Sequence, residues 1–394
     1  MTTTTRDLAS RLLGGTVVAA SDEAFGDKEN LLNPGPVNFV PGSYSARGEI
    51  VDGWETRRRR RAGDDWAVVR LGAPGVIRCI DVDTTSFTGN QPVDCRIEAC
   101  GIEGYPGPEE LEDADWQEIV AVSPLSPDQS NHFTVDNPTR FTHVRLTIRP
   151  DGGVGRLRIH GETVPDPRDF DYGAQDLASQ MCGGLVVDSS DEFYSTAESL
   201  NRPDLARSMG EGWETRRSRD QSPDWVVIRL ASRAHIHGVV VDTAHFRYNA
   251  SASVSVHGAD WTGGDASAWS PLLPITKLQP DTRHTFWLNQ TGAEAIQSSV
   301  THIRLDAFPD GGLSRLRVIG TPDARGRLSL GLSWWNSLPQ SQLGQVLTGM
   351  GVAESVAHEL AERRSLLGDD VNAVSAELDS YPVAARRLLL GIPG

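Results

Sequence analysis

Along most of the chain the apolar residues come in short runs, such as WAVVRL at 66–71, IRCIDVDT at 77–84, WVVIRL at 225–230 and HGVVVDT at 237–243, bounded by Gly, Pro, Asn or Asp. Runs this short, closed by turn residues at both ends, predict strands. Many such strands with no helical period between them predict antiparallel β-sandwiches. After about residue 325 the pattern changes. LGQVLTGM at 343–350, ESVAHELAERRSLL at 354–367 and VNAVSAELDSYPVAARRLLL at 371–390 carry leucine and alanine at helical spacing, which predicts two or three short amphipathic helices.

The pattern also repeats. DGWETRRRRR at 52–61 returns as EGWETRRSRD at 211–220, an offset of 159. The same offset relates Asp65-Trp66 to Asp224-Trp225, VDTTSF at 82–87 to VDTAHF at 241–246, PDGG at 150–153 to PDGG at 309–312, and Arg156-Leu-Arg158 to Arg315-Leu-Arg317. Upstream, GGTVVAASDEAF at 14–25 pairs with GGLVVDSSDEFY at 183–194 at an offset of 169, so the first copy has about ten extra residues in the loop before its GWETRR. Each copy is the size of a domain and too long for a solenoid unit. The expected organisation is a first repeat over 1–162, a Pro- and Asp-rich linker over 163–181, a second repeat over 182–325 and a helical appendage over 326–394.

Charge changes the picture at one point. Five consecutive arginines sit in a chain of 394 residues with 53 acidic and 37 basic side chains and a formal net charge of -16. A nucleic-acid surface needs a basic balance, so that partner is excluded. Glu49, Asp52, Glu55, Asp64 and Asp65 bracket the run and are expected to answer its charge locally. No apolar stretch is long enough to span a bilayer, and MTTTTRDLASRLLGG lacks the apolar core of a signal peptide. Cys79, Cys95, Cys100 and Cys182 are too few and too irregular for a disulfide framework or zinc site. These features predict a cytoplasmic protein without a membrane partner; self-association stays open.

The copies share WETRRxR, so Glu55, Arg57 and Arg58 have counterparts in Glu214, Arg216 and Arg217. In an extended strand Glu55 and Arg57 share one face, and Thr56, Arg58 and Arg60 the other. A carboxylate beside a guanidinium suits an anionic substrate; an ion-pair lattice bracing a loop is the alternative. Asp83 and Asp242, where apolar runs end, are site acids or turn caps. His143 and His302 alternate with apolar residues as strand histidines do. His235 and His237 could meet a metal from one strand face, but no third ligand is evident. No metal site is assigned from spacing, a divalent ion is not excluded, and no cofactor is predicted, since phosphate-loop, GxSxG and HExxH motifs are absent.

GWETRR, DWAVVRL or DWVVIRL, DTTSFTGNQP at 83–92 and a closing PDGGVGRLRIHG, in that order, resemble the allantoicase family over roughly residues 14–321. The resemblance implies two tandem jelly-roll domains of the galactose-binding-like type, and hydrolysis of allantoate to ureidoglycolate and urea in purine breakdown. It suggests that Arg57 or Arg58 anchors the substrate carboxylate, while Glu55, Asp83 or His143 activates water and protonates the departing urea. Asn90, and from the second copy Glu214, Arg216, Arg217, Asp242 and His245, are then substrate-contacting candidates. The second copy reads FRYNAS at 246–251, keeping Phe246 and Asn249 but losing the Gly and Pro of FTGNQP, which predicts that Glu55 matters more than Glu214. The competing expectations are a non-catalytic binding module of the same fold and a hydrolase of a neighbouring ureido compound. The tail from Trp334 resembles the first helices of the ureidoimidazoline decarboxylase family but lacks its His-Pro motif, implying a remnant or docking module without activity.

Overall fold

The computed structural model describes residues 5–219, 222–262, 268–290, 298–363, 374 and 378–391. In the first repeat the short apolar runs become β1 (Arg6–Asp7), β2 (Thr16–Ala20), β3 (Tyr44–Ser45), β4 (Gly48–Glu49), β5 (Trp54–Glu55), β6 (Asp65–Asp83), β7 (Asp94–Cys100), β8 (Gln117–Pro124), β9 (Ser130–Thr134), β10 (Arg140–Arg149), β11 (Gly153–Val154) and β12 (Arg156–Thr163). Their pairings are antiparallel. β6 changes partners along its length: its first residues pair with β2 and β10, its last with β9 and β12. One strand therefore serves both layers of the sandwich. Its inward side chains switch from Ala67, Val69, Leu71 and Ile77 to Ile80 and Val82. The switch falls at Arg78, the extra residue of a bulge, since Gly161 faces Ile77 and His160 faces Cys79.

The second repeat rebuilds this plan from β13 (Gln175–Asp176), β14 (Leu185–Ser189), β15 (Trp213–Glu214), β16 (Asp224–Asp242), β17 (Ser253–Ala259), β18 (Ser270–Lys277), β19 (Arg283–Trp287), β20 (Val300–Phe308), β21 (Gly312–Leu313) and β22 (Arg315–Pro322). β16 pairs first with β14 and β20, then with β19 and β22, with its register shift between Ile236 and Gly238. Each sandwich encloses its own core, in which Trp54 or Trp213 is fully buried. Burying an indole removes about 200 Å² from water, on the order of 5 kcal/mol before entropy costs. The tryptophan of GWETRR thus anchors that motif in the core. The protein is mainly β, two tandem jelly-roll sandwiches with helices at the C-terminus.

One short helix, α1 (Pro108–Glu112), interrupts the first repeat at a point with no helical period. The tail forms α2 (Ala324–Ser337), α3 (Gln340–Gly349), α4 (Glu354–Glu362) and α5 (Val383–Leu390); much of the helix expected from residue 371 lies outside the described residues. The chain forms two units: Met1–Val164 with Ser337–Gly349 and Ala353–Glu362, and Pro165–Asn336 with Met350–Val352 and Arg363–Gly394. The tail is thus shared between the units. In the first, Gln342 Nε2 donates to Glu103 Oε1 at 2.8 Å and Ser341 Oγ to Asp115 Oδ2 at 3.1 Å. In the second, Arg327 Nε donates to Asp171 Oδ1 at 2.8 Å and its Nη1 to the Leu388 and Leu389 carbonyls at 3.3 Å. The stretch read as a linker contributes β13, the edge strand that pairs with β22.

Candidate functional site

The repeated motifs meet in space because they are strand partners. Glu55 pairs with Gly153 and Trp54 with Val154, so WETRR and PDGG lie side by side although they are far apart in sequence. Thr56 N donates to the Gly152 carbonyl at 3.1 Å, and Gly152 N donates back to Thr56 Oγ1 at 3.1 Å. The last Gly of PDGG has a steric reason: a Cβ on Gly153 would stand 1.9 Å from the Phe87 ring. Trp54 and Thr56 point inward, Glu55 is half-buried and Arg57 exposed, as the alternation predicts. Arg58 departs from it and is also exposed: the strand has ended at Glu55, and beyond it Arg59 N donates to Asp151 Oδ2 at 2.6 Å.

Glu55 accepts a hydrogen bond from Asn90 Nδ2 on Oε1 at 2.8 Å, so FTGNQP delivers its amide to the acid of WETRR. Burial pushes the Glu55 carboxyl above its ordinary value, and the Asn90 hydrogen bond only partly offsets this. Two residues on, Asp22 grips Arg57 twice, accepting from the backbone N–H at 2.8 Å and from Nε at 2.7 Å. Trp54 Nε1 donates to the Asp22 carbonyl at 2.7 Å, which ties this clamp to the core tryptophan. Burial acts to raise the Asp22 carboxyl, but the N–H groups of Arg57 and Ala24 and the Arg57 guanidinium outweigh it and hold it below the usual carboxylate value. The charge of the arginine run is answered differently from expectation. Arg59 pairs with Asp65 at 3.1 Å, whereas Asp52 pairs with Arg156 and Glu49 accepts from Gly42 N.

The second unit repeats the constellation. Asn249 Nδ2 donates to Glu214 Oε1 at 2.6 Å, and Asp191 accepts from Arg216 N at 2.8 Å and Nε at 3.0 Å. Trp213 Nε1 donates to the Asp191 carbonyl at 2.9 Å, and Ser218 N to Asp310 Oδ2 at 3.0 Å. Losing the Gly and Pro of FTGNQP therefore leaves the amide–acid pair in place, which narrows the expected difference between the copies. The surroundings do differ: Arg216 also lies over the Phe193 ring at 4.8 Å, where the first repeat has Ala24. The extra residues of the first repeat form the β3–β4 hairpin, which lines a groove of about 650 Å³ with Phe25, Asn30, Val40 and Ile50. The buried Arg156 holds this long loop through Asp52 Oδ2 at 2.7 Å and the Asp52 carbonyl at 2.9 Å; Arg315 does the same for Asp204 and Glu211 in the second unit.

Other expected site residues have different surroundings. The Asp83 carboxylate accepts from Thr85 N at 2.8 Å, and Asp242 accepts from Ala244 N at 2.8 Å and Arg283 Nε at 3.0 Å; both close turns. His245 has a left-handed backbone, φ 70°, and its Nε2 lies 2.9 Å from the Ala206 carbonyl, so it fastens a loop. Arg58 and Arg217 are exposed and make no ion pair among the described residues. His143 is fully buried, paired opposite Arg70, whereas Ile148 pairs with Asp65 at the motif end of β10. Five residues at about 3.3 Å each put it roughly 17 Å from that end. The structure thus does not bring His143 to Glu55.

Desolvation, reinforced by Arg70, lowers the His143 pKa from 6.5 to about 4. An unfolded histidine takes up its proton first as pH falls, so the stability contributed by the buried neutral ring is full above 6.5, declines between 6.5 and 4, and is gone below. The loss should reach about 3 kcal/mol. Melting temperature against pH for wild type and His143→Gln checks this; the variant should show a shallower acid decline.

Sequence reasoning passed over Asp22 and Asp191, although both sit in the repeated SDE of SDEAF and SDEFY, and read Asp151 only as part of a turn. Each copy of the duplicated jelly roll thus holds a carboxylate on an amide beside a pinned guanidinium. The Allantoicase repeat family matches residues 6–164 and 175–323. A curated relative from Nocardia farcinica, named "Probable allantoicase", is 47% identical over 316 residues, covering 80% of this chain and 93% of its own. Another of that name from Streptomyces coelicolor is 44% identical over 338 residues, covering 82% and 88%. The crystal structure of a Saccharomyces cerevisiae allantoicase superposes with a TM-score of 0.67 at 34% identity, covering 80% of this chain and 93% of that one. The chain belongs to the allantoicase family.

Proposed function

We propose that this chain hydrolyses allantoate to ureidoglycolate and urea in purine catabolism, and that Glu55, Asn90 and Arg57, with Glu214, Asn249 and Arg216, form its working groups. Family membership supports the reaction. The observation that carries the residues is the Glu–Asn pair beside an aspartate-clamped arginine, built twice in one chain.

Allantoate carries a carboxylate and two ureido groups on one carbon. Arg57, with Nε on Asp22, still has its two terminal nitrogens to donate to the carboxylate as a fork, and Arg58 adds unpaired positive charge. Glu55 has one oxygen held by Asn90 and the other available. Ionised, it takes a proton from the attacking water; it then returns that proton to the urea nitrogen as the C–N bond breaks. Burial, which raises its pKa, makes it a stronger base for this exchange than an ordinary carboxylate. Asp83 and His143 are needed for neither step in this scheme.

The test is urea release from allantoate by purified protein, compared with allantoin and ureidoglycolate and with divalent ions present and absent. No urea from folded protein at high concentration would sink the proposal in favour of a binding module. Cytoplasmic location belongs to the same proposal, supported by the four free cysteines, and fractionation tests it; sedimentation tests self-association. No helix among the described residues is long and apolar enough to cross a membrane.

A further inference from the structure

We infer that Asp22 and Asp191 are positioning residues that aim the guanidinium forks of Arg57 and Arg216 at the substrate carboxylate. The inference rests on the hydrolase reading above. It begins with an oddity: the Arg57 and Arg216 side chains are 72% and 69% exposed, yet each is fixed at two points by a mostly buried aspartate. An exposed ion pair contributes little to stability, and holding a long side chain in one geometry costs entropy. Building it twice at matching positions therefore needs another reason.

The geometry supplies one. One carboxylate oxygen holds the arginine's backbone N–H and the other holds Nε, at 2.8 and 2.7 Å in the first unit and 2.8 and 3.0 Å in the second. With Nε engaged, the guanidinium cannot rotate freely about its last bonds. The Nη1–Nη2 edge, which matches a carboxylate in two parallel hydrogen bonds, makes no bond of its own among the described residues and faces away from the clamp. The aspartate is itself fixed, because its main-chain carbonyl takes the core tryptophan's Nε1 proton. Pre-organisation thus runs from the core indole through the aspartate to the arginine, and the substrate does not have to freeze the side chain itself.

The two copies differ in a way that sharpens the inference. Arg216 has a second brace in the Phe193 ring at 4.8 Å; Arg57 has Ala24 there and, among the described residues, Asp22 as its one ion-pair partner. Asp22 should therefore be the more sensitive position.

Asparagine separates positioning from bracing. Asp22→Asn keeps Oδ1 as acceptor for the backbone N–H groups of Arg57 and Ala24, but sets an amide NH2 against the Arg57 Nε donor. The experiment compares wild type, Asp22→Asn, Asp191→Asn and the double variant for allantoate KM, kcat, calorimetric Kd and melting temperature, and repeats the double variant on Arg57→Ala/Arg216→Ala. The double variant should weaken allantoate affinity roughly 10-fold, with kcat within about twofold and the melting temperature unchanged, as expected for lost uniform binding. Asp22→Asn should carry more of the effect than Asp191→Asn. On the alanine background, the asparagines should add nothing. Unchanged affinity with both arginines present, or an equal further loss without them, overturns the inference. Wild type that binds allantoate but releases no urea overturns the hydrolase reading alone, and the affinities still decide the role of the clamp. If wild type does not bind allantoate, both fall.

Discussion

Replacing both acids, Glu55→Gln with Glu214→Gln, should lower kcat/KM for allantoate by about 100- to 10,000-fold, the range for loss of a general acid or base. Glutamine preserves shape and can still face the Asn90 or Asn249 amide, so the fold should survive and the melting temperature should move little. What disappears is a group able to carry a proton from water to urea. Steady-state kinetics of urea release with parallel thermal melts check this, and a folded double variant with near-normal activity would remove the acids from the mechanism. The single variants then say how the copies divide the work. Each retaining about half the activity would mean two independent sites, and equal large losses would mean that both acids serve one. A loss confined to Glu55→Gln would restore the one-sided expectation from FTGNQP, which the equivalent Asn249–Glu214 pair speaks against.

Arg57→Lys together with Arg216→Lys should cost about 1.5 to 3 kcal/mol of substrate affinity, roughly 10- to 150-fold in KM. Lysine keeps the charge but offers one nitrogen where arginine offers three. That ammonium can stay with Asp22 or reach the substrate, and it cannot form the planar two-point contact in either position. If the arginines only brace the loop, the same substitutions should lower the melting temperature while the remaining folded protein keeps its KM. A different readout moves under each hypothesis, so one pair of measurements separates them.

The sequence by itself determined the architecture at the level of repeats and strands. Apolar runs closed by turn residues fixed where β6 and β16 lie, the offset of 159 fixed that the fold is built twice, and leucine spacing after residue 325 fixed that the tail is helical. It named the proposed working groups in part, since WETRR holds the acid and the arginine, and FTGNQP the amide. These are local signals: period, turn chemistry and residue type can be read within a dozen positions.

What only the tertiary structure decided is which distant residues share a surface. His143 and Glu55 are both candidates along the chain, but strand register sets His143 five residues back along β10 from the Ile148–Asp65 pair near the motif, and burial makes it a core ring. The sequence pairs the five-arginine run with the acids that flank it, and of these Asp65 does hold Arg59. Arg57 instead turns back to Asp22, because the Trp54 indole anchors that segment in the core and leaves the aspartate beside β5. The tail, read as one appendage, divides between two units. Each of these depends on long-range pairing, and a side chain's partners there are set by strand register and by the common burial of tryptophans, not by its neighbours in sequence. A one-residue change in register would send Glu55 inward and Trp54 out, leaving the residue types the same and the site gone.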